Sequence, residues 1–187
     1  GNPADYQPIE VDSKLKVSEA LSMANTIKDN IKTRKIAIIA ADGVSDKSLN
    51  DVKKALLAAG ATVEIIAPKL GNIITDKKAA LAVDESLLTA ASVFYDAVYV
   101  PSGKKSVAAI ATEPDAVHFL NEAFKHCKAI AIDADAKAVI DATYFAALEK
   151  EDGIIIEGDV KKLADQFIKS IAQHRFWDRE KARKVPA

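Results

Sequence analysis

Cysteine is nearly absent from this sequence. The single thiol in 187 residues, Cys127, has no partner for an internal disulfide and cannot build a cysteine-based zinc cluster. An excess of one charge is missing too: 26 Lys and Arg face 27 Asp and Glu, for a net charge of -1. No global field is therefore available to recruit nucleic acid or an anionic membrane, and partner choice falls to local surfaces. No apolar run approaches the roughly 18 to 20 residues that would span a bilayer, and no charged-then-apolar leader is present, so a soluble chain is expected. The sequence opens on Gly rather than Met, which reads as a piece of a longer or processed polypeptide and leaves the compartment open between cytoplasmic and secreted.

What is present is ordinary for a globular domain: 49% hydrophobic and 28% charged residues, a balance that lets a chain of this size bury roughly two thirds of its surface. Residues 1–33 read as an extended arm with Pro3, Pro8 and a short apolar pattern of Val17, Leu21, Ala24 and Ile27. Residues 34–175 alternate strand and helix signals. "KIAIIAA" (35–41), "TVEIIAP" (62–68), "DAVYVPSG" (96–103), "KAIAIDAD" (128–135) and "GIIIEG" (153–158) are short, mostly apolar runs suited to strands covered on both faces. Ser45 or Asp46 can cap a helix carrying Leu49, Val52 and Leu56, with Gly60 as its stop. Pro114 starts another, with Val117, Leu120, Phe124 and Cys127 as its apolar stripe, and the last helix carries Val160, Leu163, Phe167 and Ile171. "GNIITDKKAALAV" (71–83) reads as a hairpin outside the main sheet, and residues 176–187 as a polar, aromatic tail. The fold class expected is α/β, a doubly wound, mostly parallel flavodoxin-like sheet with helices on both faces and an extra β-hairpin.

In such a sheet, ligands bind beyond the carboxyl ends of the strands. Three corners deliver residues there: Asp42-Gly43, Ser102-Gly103 and Asp133-Ala134-Asp135. "AADGVSDKSL" has one glycine, too few for a dinucleotide turn, and lacks the Ser/Thr-rich loop an FMN phosphate would want. Pro101-Ser102-Gly103 lacks the acceptor aspartate of a receiver domain. At the fourth-strand corner, where a catalytic elbow would carry Cys or Ser, stands Asp133, with no His or Lys placed to activate it. Asp42, Asp133 and Asp135 are either turn and helix-capping residues or an acidic cluster for a divalent cation or acid–base work. Cys127 reads as a packed core thiol, and His118, His126 and His174 as solvated or helix-end histidines, too scattered for a metal site. The tail with Phe176 and Trp177 reads as a docking or solvated terminus rather than a nucleic-acid surface.

The strand ends "IIAADGV", "VYVPSG" and "AIAIDADAKAVI" resemble the ThiJ/PfpI-like and class I amidotransferase-like superfamily. That resemblance puts Ser48 at the family's glutamate position, Gly103 at its oxyanion-hole glycine and Asp133 at its cysteine, so the elbow reads as vestigial. More specifically, "IKTRKIAIIAADGVSD" (31–46), "DAVYVPSG" (96–103), "HFLNEAFKHCKAIAI" (118–132) and "FIKSIAQHRFWDRE" (167–180) resemble the C-terminal domain of large-subunit haem catalases. The resemblance implies a non-catalytic module on a homotetrameric, peroxide-dismutating haem enzyme, contributing to tetramer stability and holdase-type chaperone protection. Its partners would be the haem domain, neighbouring subunits and unfolded clients, not nucleic acid or membrane. Haem would belong to the parent: Tyr6, Tyr95, Tyr99 and Tyr144 lack the arginine-bearing surroundings of an axial tyrosine. Candidate contacts are Val17, Leu21, Ile27, Ile73, Ile74, Phe176 and Trp177. The alternative expectation is residual hydrolase or glyoxalase-like activity, or small-ligand binding, at the Asp133 corner.

Overall fold

The computed structural model describes residues 18–22, 25 and 28–181, so Val17, Ile27 and the end of the tail lie outside the described residues. A 3-10 turn at Glu19–Leu21 is followed by strand β1 (Lys35–Ile39), helix α1 (Asp46–Ala58) and β2 (Thr62–Ala67). Next come β3 (Gly71–Ile74), β4 (Ala80–Val83), β5 (Glu85–Ser86) and β6 (Ala97–Val100). Helices α2 (Lys104–Ala111) and α3 (Pro114–Lys125), strand β7 (Ala129–Asp133), helix α4 (Lys137–Asp141), strand β8 (Ile154–Glu157) and helix α5 (Val160–Gln173) complete the chain.

Six strands form a parallel sheet in the order β5-β2-β1-β6-β7-β8, in register Ile36 with Val63 on one side and with Ala97 on the other. Chain progression reverses between β1 and β6, which is the switch point of a flavodoxin-like sheet. β3 and β4 pair antiparallel outside it, as "GNIITDKKAALAV" predicts. The period-2 geometry of β1 splits its side chains between two layers. Ile36, Ile38 and Ala40 meet Leu49, Val52 and Leu56 of α1 and Leu163, Phe167 and Ile171 of α5. Ala37, Ile39 and Ala41 join Phe119, Leu120 and Phe124 of α3 and Val139 and Ile140 of α4. Each fully buried side chain of this size contributes about 1.5–3 kcal/mol, so the sheet sandwiched between helices is the stability core.

Three sequence expectations need correction. β5 is a sixth, two-residue edge strand that polar Glu85 and Ser86 give no reason to expect. α2 starts on Gly103 with no side-chain cap and with Lys104 and Lys105 in its first turn, so it lacks an N-terminal signal. In α3 the buried face is Ala116, Phe119, Leu120, Ala123 and Phe124, with Val117 half-buried. Cys127 lies beyond the helix end with φ 57°, buried all the same.

His174 stands at the end of α5, the helix-end place expected for it. Far from being solvated, it is buried and forms a γ-turn, with φ 70° and ψ -56°, in which the Arg175 N–H donates to the Gln173 carbonyl at 2.9 Å. This turn sends the tail back beneath the amino ends of β7 and β8. There the Phe176 N–H donates to the Cys127 carbonyl at 2.8 Å. The Phe176 ring fills the space left by Gly153, whose φ is 83° and whose Cβ, if present, would lie 2.2 Å from the ring. Phe176 therefore packs against its own domain's core rather than offering a free contact. Arg179 is wholly buried, its guanidinium 5.1 Å and 5.2 Å from the Phe124 and Phe176 ring centres, and donates to the Lys128 carbonyl.

Candidate functional site

The corners after β1 and β6 are bonded to each other. The Ser45 N–H donates to the Ser102 carbonyl at 2.8 Å, and a Cβ on Gly103 would stand 2.5 Å from the Gly43 carbonyl oxygen and 2.6 Å from Ser45 N. With φ at 127° as well, only glycine fits there. Ser45 also caps α1 through its side chain, and the first turn of that helix carries Ser48 inward, where it is buried.

The Ser48 hydroxyl donates to Asp133 Oδ2 at 2.8 Å. Its oxygen lies 2.6 Å from the Tyr99 hydroxyl and accepts the Ser102 N–H at 3.2 Å. Since Ser48 has one proton, and that proton goes to the carboxylate, the Tyr99 hydroxyl is the donor in its pair. The second Asp133 oxygen accepts the Asp135 N–H at 3.2 Å and so caps the 3-10 turn Ala134–Ala136. Burial, and after it the Asp133 charge, pushes the Tyr99 phenol well above its ordinary range. The phenol stays protonated and remains a donor.

Ser48 and Asp133, which resemblance alone assigns to an elbow, are thus in direct contact, and Gly103 holds the neighbouring corner. Tyr99 is a member of the cluster that sequence reasoning does not reach. A signal for it exists all the same: a tyrosine inside a strand buried on both faces must find a partner for its hydroxyl.

This arrangement lacks the devices of a nucleophilic elbow. Asp133 has φ -60° and ψ 138°, ordinary extended backbone rather than a strained turn. Beyond it lie a three-residue 3-10 turn and the five-residue α4, which supply little helix dipole. The carboxylate is 3% exposed and is bonded by the Ser48 hydroxyl and the Asp135 N–H. Beside it opens a cavity of about 470 Å³. Two of the charged groups on its wall are already engaged, Lys47 with Asp51 and Asp159 with the Lys162 N–H.

Asp42 takes no part in this cluster. It is exposed, and its Oδ1 accepts the Ile74 N–H at 2.7 Å. The hairpin is fastened over the β1 corner by that bond, by the Gly43 N–H to the Ile74 carbonyl at 2.7 Å and by the Asp76 N–H to the Val44 carbonyl at 2.8 Å. Asp42, Asp133 and Asp135 do not converge, and among the described residues no group of three or more His, Cys, Asp or Glu could hold a metal ion. Ile73 is 5% exposed and belongs to the core, which corrects its reading as a surface contact; Ile74 is 41% exposed. His118 on α3 and His126 at its C-terminal cap are exposed, the latter 3.4 Å from Glu122. Among the described residues no helix is long and apolar enough to cross a membrane.

A protein-family model described as the C-terminal domain found in long catalases matches residues 32–181. Curated relatives include Catalase HPII of Pseudomonas aeruginosa, 34% identical over 92% of this chain and 24% of that protein. Catalase HPII of Mycobacterium avium is 36% identical over 91% of this chain and 26% of that protein. Catalase-2 of Bacillus subtilis is 36% identical over 87% and 23%. The chain thus spans about a quarter of the length of these relatives. Among solved structures, the VC2308 protein has a TM-score of 0.57 and 17% identity, covering 60% of this chain and 59% of its own. A two-domain protein from Anabaena variabilis containing dj-1/thij/pfpi-like and ferritin-like domains has a TM-score of 0.56 and 22% identity, covering 58% and 33%. These two likenesses concern the fold.

Proposed function

Because the chain belongs to the family of C-terminal domains found in long catalases, we propose that it is a non-catalytic accessory domain of a haem catalase. It would stabilise the assembled, peroxide-dismutating enzyme and act as a holdase-type chaperone. The observation that carries this reading is the self-contained network at the elbow: Ser48, Tyr99 and Asp133 satisfy one another and leave no activated nucleophile at the cleft. Turnover of a small ester or α-oxoaldehyde at this corner would need a base beside Asp133, and its hydrogen-bond partners are neutral donors.

The described tyrosines, Tyr95, Tyr99 and Tyr144, do not suit haem ligation. An axial tyrosine must be held as a phenolate. Here the Tyr95 hydroxyl donates to Glu64 at 2.6 Å, and burial, then Glu64, pushes it up. Tyr99 is buried against Ser48 and likewise pushed up. Tyr144 stands edge-on to Phe124 and Phe145. Haem in this reading belongs to the rest of the long polypeptide.

Holding an unfolded chain requires exposed apolar surface. Of the contacts expected from sequence, Leu21 (86% exposed), Trp177 (47%) and Ile74 provide it. The test is light scattering of a heat-unfolded client. This chain at equimolar ratio should suppress the signal, and undiminished aggregation would remove the chaperone role.

A further inference from the structure

Beyond α5 the chain is anchored at two residues and works against several unmade bonds. The Phe176 N–H bonds the Cys127 carbonyl, the Phe176 ring fills the space at Gly153, and Arg179 donates to the Lys128 carbonyl from between two aromatic rings. Trp177 and Asp178, between these anchors, are exposed. Three buried nitrogens here find no hydrogen-bond partner among the described residues: Nδ1 of His174, and Nε and Nη1 of Arg179. His174 also holds φ at 70°, in the left-handed region that strains any residue with a Cβ. Lifting the segment would give all three nitrogens to water and let His174 relax, so each of these terms favours release.

Release would not dismantle the fold. The bonds to Cys127 and Lys128 end ahead of β7, so the ladder of the sheet does not depend on them. Leu163, Phe167 and Ile171 keep α5 packed on the sheet, while Phe176 lies half-buried at the margin of that layer. We infer that residues 175–181 form a releasable strap, pivoting at His174, whose opening is a local event well short of unfolding. Opening would bare the Phe176 seat at Gly153 and the face of the Phe124 ring beneath Arg179. It would also uncover Cys127, which is 2% exposed and lies within electrostatic reach of both Arg175 and Arg179. Exposed apolar area is what captures an unfolded chain. The strap therefore deepens the chaperone reading, and in that respect rests on it, by setting how much of this surface the domain offers.

Cys127 is the only thiol in the sequence, which makes it a reporter for the strap. Amide hydrogen exchange and labelling by an aromatic disulfide reagent, both under native conditions, test the inference on this chain. The Phe176 and Arg179 amides should exchange at least about tenfold faster than those of Ile130 and Ile132 on β7, with almost no dependence on denaturant, and Cys127 should be labelled through the same opening. Exchange and labelling that all proceed at the β7 rate, with the full denaturant slope of global unfolding, overturn the strap. Phe176→Ala, which empties the seat, should raise the labelling rate at least about tenfold. An unchanged rate would mean that Cys127 is reached by another route, and also overturns it. In the light-scattering assay the same variant should suppress client aggregation at a lower molar ratio than wild type. Suppression by wild type that Phe176→Ala does not improve overturns the role of the strap in capture and spares the chaperone reading. Absence of suppression by either protein removes that reading, while the labelling result stands as evidence for the strap.

Discussion

Ser48 and Asp133, 85 residues apart in sequence, are joined by a buried hydrogen bond of 2.8 Å that ties α1 to the end of β7. Tyr99 on β6 completes the link, so three elements that pack around the switch point are held by one polar cluster. Ser48→Ala would remove a donor from the Asp133 carboxylate and the acceptor of the Ser102 N–H, while the Tyr99 hydroxyl keeps the Ser48 backbone carbonyl at 3.2 Å. Leaving such groups unsatisfied in a buried position costs about 1–3 kcal/mol. Chemical denaturation should show a lower midpoint for Ser48→Ala, with the denaturant slope unchanged. Wild-type stability would show that the cluster does no structural work.

Gly103→Ala is expected to be worse. The added methyl would meet backbone atoms of Gly43, Val44 and Ser45 at 2.5–2.7 Å, and the residue would keep a φ of 127°. None of these atoms is the movable end of a side chain, so the loops after β1 and β6 must separate. Strain of this kind costs on the order of 1–3 kcal/mol before the lost Ser45 to Ser102 bond is counted. A melting temperature within a degree or two of wild type would contradict the geometry.

These substitutions also show where the sequence was readable. β1, β2, β6, β7 and β8 announce themselves because strands covered on both faces must be apolar throughout, and the hairpin because Asp76-Lys77-Lys78 interrupts two apolar pieces. Asp133 and Ser48 could be placed at the elbow by resemblance, but their mutual bond depends on how α1 packs beside β7. The tail was illegible for a similar reason. "HRFWDRE" is polar enough to read as solvated, and its burial depends on Gly153 leaving room for Phe176 and on Arg179 finding two aromatic rings. α2 has no cap to mark it, and β5 is too short to carry a pattern.

Arg179 gives a prediction in the opposite direction. Its guanidinium is fully buried and donates to the Lys128 carbonyl, yet its Nε and Nη1 have no hydrogen-bond partner. Burial pushes its pKa down, to about 10, a sign that the charge is poorly compensated. Replacing a buried, incompletely satisfied charge by an apolar side chain of similar length is often neutral or stabilising. Arg179→Met should therefore stay within about 1 kcal/mol of wild type, whereas Arg179→Ala, which leaves a cavity between Phe124 and Phe176, should lose about 2–5 kcal/mol. Equal, large losses for both would mean that the charge itself stabilises the tail.

His174 makes the tail sensitive to acid. Its Nε2 is 3.4 Å from Asp96 Oδ1, while its Nδ1 is buried without a hydrogen-bond partner. Burial, then the Arg175 and Arg34 charges, outweighs the Asp96 carboxylate and pushes the imidazole from 6.5 down to about 4. The unfolded chain takes up a proton near pH 6.5 and the folded one only near pH 4. Stability from this residue is therefore full above pH 6.5 and falls as the pH drops from about 6.5 to 4, after which both states are protonated. A tenfold difference in proton affinity between the two states is worth about 1.4 kcal/mol, and partial solvent screening reduces the expected loss to on the order of 1–3 kcal/mol. His174→Gln cannot titrate, so the difference in unfolding free energy between wild type and variant should narrow across that window. Carboxylates titrating in the same range cancel in the comparison, because they are common to both proteins. A difference that stays constant from about pH 7 to pH 4 would show that the γ-turn is insensitive to the charge on His174.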